Sequence, residues 1–396
     1  MQNFNKIKGL FFITYPAVLI LNPKLANNFF IFLLILLSGY SVYLNKHLVF
    51  TFYEKFLLIF VSALFVSILF KNTIGNGDMI MLKRHLRWLI IPLLLGQMKI
   101  TKEELKISLI SVSIGVLGYF YRVVVELIKL KPQELLWKDF FLSTIPYNHR
   151  YLANFNIPQT AVMLGITTLI LFYLASIGIE SKGKKIYLLI ISIISFIILL
   201  CIQSRGMLLT LFIVMLGLAI VRKEKLIRGL TALILVITIF IGYYFSNSNY
   251  VNRYESIGKD NSSLARIEVY KEACRIFKDN KITGVGFEGF FQEQNRNMYK
   301  FNKEYFHPHN MALKLLSETG IIGFISYYLF MGSIIYNLWK KYKTNKYYLC
   351  GILCVVSLLL YENIEVIFIR AVALPYLFFI IGINLNTIYQ EKLKNI

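Results

Sequence analysis

Aspartate is nearly missing from this chain: only Asp78, Asp139, Asp260 and Asp279 occur in 396 residues. No Asp-x-Asp metal motif exists. Cysteine is as scarce. Cys201, Cys350 and Cys354 lie in apolar runs and Cys274 has no partner in its own segment, so neither a disulfide nor a zinc site is indicated. Internal repeats, low-complexity tracts and linkers are also lacking. The first apolar run, beginning near Gly9, has no small-residue cleavage site after it and reads as a retained helix rather than a signal peptide.

What the chain does have is apolar sequence. Hydrophobic residues make up 57% and the mean hydropathy is +0.60. Uncharged runs of roughly 15 to 22 residues recur, long enough to cross a bilayer core of about 20 residues' helical length. Charges cluster between the runs and not on one face of them, which excludes a soluble core. The fold class is therefore an all-α polytopic membrane protein. Twelve spans are expected, near 8–22, 27–43, 54–70, 85–98, 106–127, 157–178, 185–201, 206–221, 228–245, 311–338, 347–366 and 370–388. The chain reads as a single integral membrane domain, 1–396.

The net charge of +22 would suggest nucleic acid in a soluble protein. Here the positive-inside rule accounts for much of it, and no nucleic-acid partner is expected. With a cytoplasmic N-terminus, each of the seven segments on that side holds at least two cations, from Lys6 and Lys8 to Lys392 and Lys394. Both termini are then cytoplasmic, and the long 246–310 segment between spans nine and ten lies outside. That segment predicts an amphipathic helix over 263–278, with Asn261-Ser262-Ser263 as its N-cap signal and Leu264, Ile267, Cys274 and Phe277 at near-helical spacing. Gly284, Gly286 and Gly289 end it. Such a helix suits the membrane surface.

The chemistry-bearing residues gather on the outer side. His309-Asn310 sits where the outer segment meets the tenth span, and an imidazole is the side chain best matched to take a hydroxyl proton near neutral pH. Arg205, in Ser204-Arg205-Gly206 between two apolar spans, is either a lipid-snorkelling cation or a planar fork on phosphate, with Gly206 letting the backbone approach. Arg266 lies in the same segment as His309. Arg122, beside Tyr119, Phe120 and Tyr121 near the outer end of the fifth span, reads equally as a snorkelling or a substrate-binding cation. Arg84 and Arg87, with Lys83 and His85, break the charge rule; they mark an anionic-headgroup site or a misplaced span. Arg150, in His149-Arg150-Tyr151, meets an anionic sugar or phosphate if it is functional. His307 and His309 have metal-ligand spacing, but no Cys or carboxylate cluster surrounds them in sequence. No metal and no cofactor is expected, with arginines neutralising phosphate charge instead.

Together these residues resemble the bacterial O-antigen ligase and O-antigen polymerase superfamily. Its ligase pattern runs His, then Asn, Ser or Gln, nine residues, Gly, two residues, then Gly, Thr or Tyr; His309, Asn310, Gly320 and Gly323 fit every position. Ser204-Arg205-Gly206 matches the family's arginine between adjacent spans. Arg266, within Arg-Ile-Glu-Val-Tyr, and Gly284-Val-Gly286-Phe-Glu-Gly289 resemble its large outer loop. The resemblance covers roughly 140–340 and reaches the N-terminal spans only by topology.

The resemblance implies a GT-C-like glycosyltransferase at the periplasmic face of the inner membrane, with a glycan on undecaprenyl pyrophosphate as donor. A ligase delivers it to the lipid A–core oligosaccharide, a polymerase to a second lipid-linked repeat unit; the intact His-Asn pattern and short chain favour the ligase. His309 would then be the general base, with Arg205 and Arg266 stabilising the leaving pyrophosphate. Asn310 would orient the imidazole, and Gly320 and Gly323 would let the tenth helix pack closely. Arg84, Arg87, Arg122, Arg150 and Gly206 are further substrate-binding candidates. A flippase for lipid-linked oligosaccharide is the contrasting class, but such proteins tend to show repeated halves, and none is present here.

Overall fold

The computed structural model describes residues 2–21, 26–46, 52–70, 76–129, 157–177, 181–202, 204–222, 228–229, 261–296, 307–367 and 373–393. Among them the regular structure is helical throughout. The helices are α1 (Gln2–Leu21), α2 (Ile31–Asn45, preceded by a π turn at Ala26–Phe30), α3 (Phe52–Leu69), α4 (Asn76–Gly96), α5 (Lys102–Lys129), α6 (Ile157–Ser176) and α7 (Lys182–Ile202). They continue as α8 (Arg205–Arg222), α9 (Asn261–Asp279), α10 (Phe290–Arg296), α11 (Met311–Lys341), α12 (Tyr348–Tyr361) and α13 (Ala373–Leu393).

Seven of the described helices are long and apolar enough to cross a membrane: α1, α2, α5, α6, α7, α8 and α11; α12 and the first part of α13 are shorter apolar helices. This is a multi-pass membrane protein. The expected third and fourth spans fall on α3 and α4. The ninth, 228–245, lies almost wholly outside the described residues. The eleventh does not run to 366 as expected. Its helix closes at Tyr361, and residues 362–365 form turns bearing Glu362 and Glu365.

The chain divides into two compact units. In the first, built on residues 1–30 and 103–260, α6 is the central helix. It is apolar all round and 94% of its spanning window is buried, as a helix surrounded by others must be. Ser192 and Ser195 of α7 donate to the carbonyls of Thr168 and Leu164 on α6, while Ile186, Ile190, Ile193 and Ile197 form an exposed stripe on its other side. That spacing leaves an apolar face for lipid. Gly115 and Gly118 of α5 face Ala17, Ile20 and Leu21 of α1. One further turn along that seam, Arg122 donates from Nη1 to the Leu21 carbonyl at 2.6 Å.

The second unit holds residues 31–102 and 261–396. Here α3 packs on α11 through Phe60, whose ring lies 5.2 Å from that of Tyr327 and 6.2 Å from that of Phe330. Helix α13 closes the end of α4. Asn386 Nδ2 donates to the Leu95 and Met98 carbonyls at 2.6 and 2.7 Å, two acceptors that a helix end otherwise leaves to water.

Helix α9 begins and ends within two residues of its expected bounds, and a second apolar stripe beside the expected one packs against the protein. Val269, Ala273 and Ile276 form the buried stripe, with Phe290 of α10 and partly buried Val285 and Leu313 against it. Leu264, Ile267 and Cys274 are exposed. Both faces are apolar, and only tertiary packing selects between them.

After α9, residues 280–285 fold against α11 where that helix is broken at Gly320 (φ 63°, ψ −164°). The rung an intact helix would form between Ile321 N–H and Ser317 C=O is lent to this neighbour. Ile321 N–H donates to the Lys281 carbonyl at 2.9 Å, and Val285 N–H donates to the Ser317 carbonyl at 3.0 Å. A side chain at Gly320 would run into the Ile282 carbonyl, and one at Gly284 (φ 66°) into the Glu318 backbone. Both positions demand a backbone region open chiefly to glycine. At Gly323 the nearest atoms are those of Thr319 on the same helix, whereas Gly320 packs closely on a turn.

Candidate active site

The N-terminal end of α11 is built by its capping residue. Asn310 Oδ1 accepts from Leu313 N–H at 3.0 Å and Asn310 Nδ2 donates to the Asn363 carbonyl at 3.1 Å. The first bond satisfies a helix-end amide; the second ties the turn after α12 to the same spot. Met311 N–H adds a bond to the Glu362 carbonyl at 2.8 Å. The expectation that Asn310 orients the imidazole directly is therefore revised: its amide holds the turn that carries Glu365.

That turn brings Glu365 under His309. His309 Nδ1 lies 3.0 Å from Glu365 Oε2, and the carboxylate is buried while the imidazole is about a quarter exposed (side-chain exposures 8% and 27%). A carboxylate accepts, so in the neutral imidazole this contact favours the proton on Nδ1 and leaves Nε2 as the acceptor. His309 has φ 52°, uncommon for a residue with a side chain. This twist brings the two imidazoles together with centroids 4.3 Å apart, and His309 N–H donates to His307 Nδ1 at 3.3 Å.

Arg266 Nη2 of α9 lies 3.9 Å from the same Glu365 oxygen, with its side chain 36% exposed. Tyr270, one turn along α9, belongs to this group: burial pushes its phenol up, while the Arg266 cation pulls it down and the Glu365 charge raises it further. Two of the three expected catalytic residues, His309 and Arg266, thus converge on one carboxylate. Neither Glu365 nor Tyr270 stood out in the sequence. The available signal was a pair of carboxylates, Glu362 and Glu365, closing an apolar run where charge is costly.

The absence of any carboxylate near the two histidines does not hold in three dimensions. Donor atoms of His307, His309 and Glu365 all lie within 4.8 Å of one another, and His307 Nε2 is 3.9 Å from Glu365 Oε1. This is a His2Glu donor set of the kind zinc accepts. The guanidinium of Arg266 beside the same carboxylate opposes a second cation.

Beneath the site lies a buried charge cluster. Lys314 Nζ is 2.6 Å from Glu318 Oε2 and 3.1 Å from Glu288 Oε1. Glu288 N–H also donates to Glu318 Oε2 at 2.9 Å, and the lysine sits over the Phe287 ring at 5.5 Å. Phe287 N–H in turn donates to Ser67 Oγ of α3 at 3.2 Å. The glycine-rich 284–289 stretch is thereby fixed to both α11 and α3.

The remaining candidates are placed as follows. Arg205 and Gly206 open α8 in the first unit, both half-buried. Arg122 has its guanidinium on the Leu21 carbonyl. Arg84 and Arg87 lie along α4. Arg150 lies outside the described residues.

Residues 189–328 match the family model for O-antigen ligase. Over this stretch the chain carries an O-antigen ligase domain. The matched stretch includes Arg205, Arg266, His309, Gly320 and Gly323, so the motif residues of the O-antigen ligase domain fall inside it, whereas Glu365 comes from beyond it. No curated protein matches the chain as a relative. The domain assigns the chain a ligase- or polymerase-type role in O-antigen synthesis.

Proposed function

We propose that this protein transfers a glycan en bloc from undecaprenyl pyrophosphate to the lipid A–core oligosaccharide, at the periplasmic face of the bacterial inner membrane, with His309 as general base. The observation that carries this reading is the 3.0 Å contact between His309 Nδ1 and Glu365 Oε2. It favours the tautomer whose free Nε2 accepts a proton, and the buried carboxylate stabilises the imidazolium that results.

The acceptor hydroxyl oxygen attacks the anomeric carbon of the donor sugar. The new C–O bond forms as the bond to pyrophosphate breaks, and the hydroxyl proton passes to His309 Nε2. Undecaprenyl pyrophosphate leaves with the electron pair. A single displacement of this kind inverts the anomeric centre. Arg266, next to His309, meets the charge growing on the leaving oxygen; Arg205 is assigned to the donor phosphates from its sequence motif. A positioned base contributes about 10²- to 10⁴-fold to such a step.

The His307, His309 and Glu365 donor set supports a second reading, in which a divalent ion replaces the base. A polymerase with a second lipid-linked unit as acceptor is the alternative to the ligase. One experiment addresses all of these. Purified protein is mixed with undecaprenyl-pyrophosphate glycan and either lipid A–core or a second lipid-linked unit, with and without EDTA. The ligase reading expects extension of lipid A–core, unchanged by the chelator. Extension of the second lipid-linked unit alone replaces it with the polymerase, and loss in EDTA with recovery on adding a divalent ion replaces the base mechanism. Activity requiring two compartments would return the protein to the transporter class.

A further inference from the structure

Helix α9 turns two unlike faces outward and inward. Val269, Ala273 and Ile276 are buried against α10 and α11. The opposite stripe is Leu264, Ile267, Lys271, Cys274 and Lys278, every one of them exposed. Leu264 and Ile267 each keep 47% of their surface open. In a water-facing helix this stripe should be polar; here it alternates apolar side chains with cations. Arg275 beside it is already committed, in a two-pronged bond to Glu272 and a bond to Asp279. Among the described residues no ion pair joins Lys271 or Lys278. An open hollow of about 460 Å³ lies along this face, with Ile267, Lys271 and Lys278 on its walls.

The broken rung of α11 ties the segment after α9 to that helix. Lys281 gives its carbonyl to Ile321, the first residue past the break. From there Ile322, Ile325 and Leu329 form the exposed apolar stripe of the spanning helix. Ile282, 65% exposed, lies against the Gly320 backbone. The segment after α9 is thus bonded to α11 beside the exposed apolar stripe of that helix.

We propose that the outward face of α9 is a lipid-contact surface. Leu264 and Ile267 insert below the phosphate headgroup layer of the bilayer, and Lys271 and Lys278 pair with its phosphates, as in interfacial amphipathic helices. This inference is independent of the glycosyl-transfer reading. It makes the roof of the His309 site a helix whose position depends on the bilayer.

The test uses the full chain in vesicles of phosphatidylethanolamine and phosphatidylglycerol. An environment-sensitive fluorophore is attached to Cys274 in a Cys201→Ser background; Cys350 and Cys354 are buried, and the Cys274→Ser protein is the labelling blank. Lipids carrying a nitroxide near the headgroup end of the acyl chain should remove roughly half or more of the emission, while aqueous iodide removes little. A companion protein with Lys271→Gln and Lys278→Gln should lose much of that lipid quenching. Quenching by iodide and not by the lipid nitroxide overturns the proposal, as does protection from both quenchers.

Discussion

Glu365 Oε2 lies 3.0 Å from His309 Nδ1 across 56 residues of sequence, and the link is made by the turn after α12. That turn is stitched to the start of α11 by Asn310 and by Met311 N–H. The asparagine of the family motif therefore acts at one remove: it holds the carboxylate that holds the imidazole.

Replacing Glu365 should report this arrangement. Glu365→Gln is expected to lower turnover by about 10²- to 10⁴-fold while changing the apparent donor affinity little, because an amide does not fix the proton on Nδ1 or stabilise imidazolium. Asn310→Ala should give a smaller loss through the same route, with a slightly lower melting temperature from the missing cap. Steady-state kinetics of purified, folded protein read both. Full turnover in Glu365→Gln would remove the carboxylate from the mechanism.

Arg266 separates into a charge and a shape. Arg266→Ala should weaken donor binding and turnover together, since the pyrophosphate of the proposed donor carries charge in the ground state that grows in the transition state. Arg266→Lys should restore only part of the loss, as a point charge does not replace the planar fork. Equal activity for arginine and lysine proteins would show that the fork is not used.

Lys314 neutralises two carboxylates in a buried setting. Lys314→Met should destabilise the second unit by roughly 3–5 kcal/mol, because it leaves buried charge without its partner. Adding Glu318→Gln should recover part of this. Thermal unfolding in detergent, compared across the single and double mutants, gives the coupling. Additive effects would mean that the pair is not a unit.

Gly320→Ala places a side chain at φ 63° and against the Ile282 carbonyl. The backbone strain alone is about 1–3 kcal/mol, so both stability and turnover should fall. Gly323→Ala lacks that backbone strain but would overlap the Thr319 Oγ1 and Cβ of its own helix, so it too should cost stability, by less. A reversed order, measured by melting temperature, would place the critical contact elsewhere.

Arg122→Ala is expected to cost about 1–2 kcal/mol of stability, the worth of one charged hydrogen bond to a carbonyl, and to leave turnover near normal. A large kinetic defect in well-folded protein would return Arg122 to the substrate.

How much of this was legible in the sequence follows from physics that acts locally or at a distance. Bilayer-spanning runs announce themselves because lipid demands some twenty apolar residues. His309, Arg266 and the glycines were visible through spacing. Glu365 was not, since its meaning depends on a turn 56 residues downstream folding back on α11. Arg122 was visible as a cation near a helix end, but periodicity cannot say that its neighbour is the Leu21 carbonyl. The packed face of α9 was hidden for a different reason: two apolar stripes compete on one helix, and burial chose Val269, Ala273 and Ile276.

The opened rung between Ser317 and Ile321 gives α11 a mechanical property. An unbroken helix transmits bending stiffly from end to end. Here the pieces of α11 on either side of Gly320 meet at a pivot whose bonds run through Lys281 and Val285. The first part of α11, which follows His309, is thus bonded to the 281–285 strap where an intact helix would be bonded to itself. A displacement of α9 is therefore expected to be felt at the His309 end of α11 through this strap, which would couple the proposed base to whatever loads that helix.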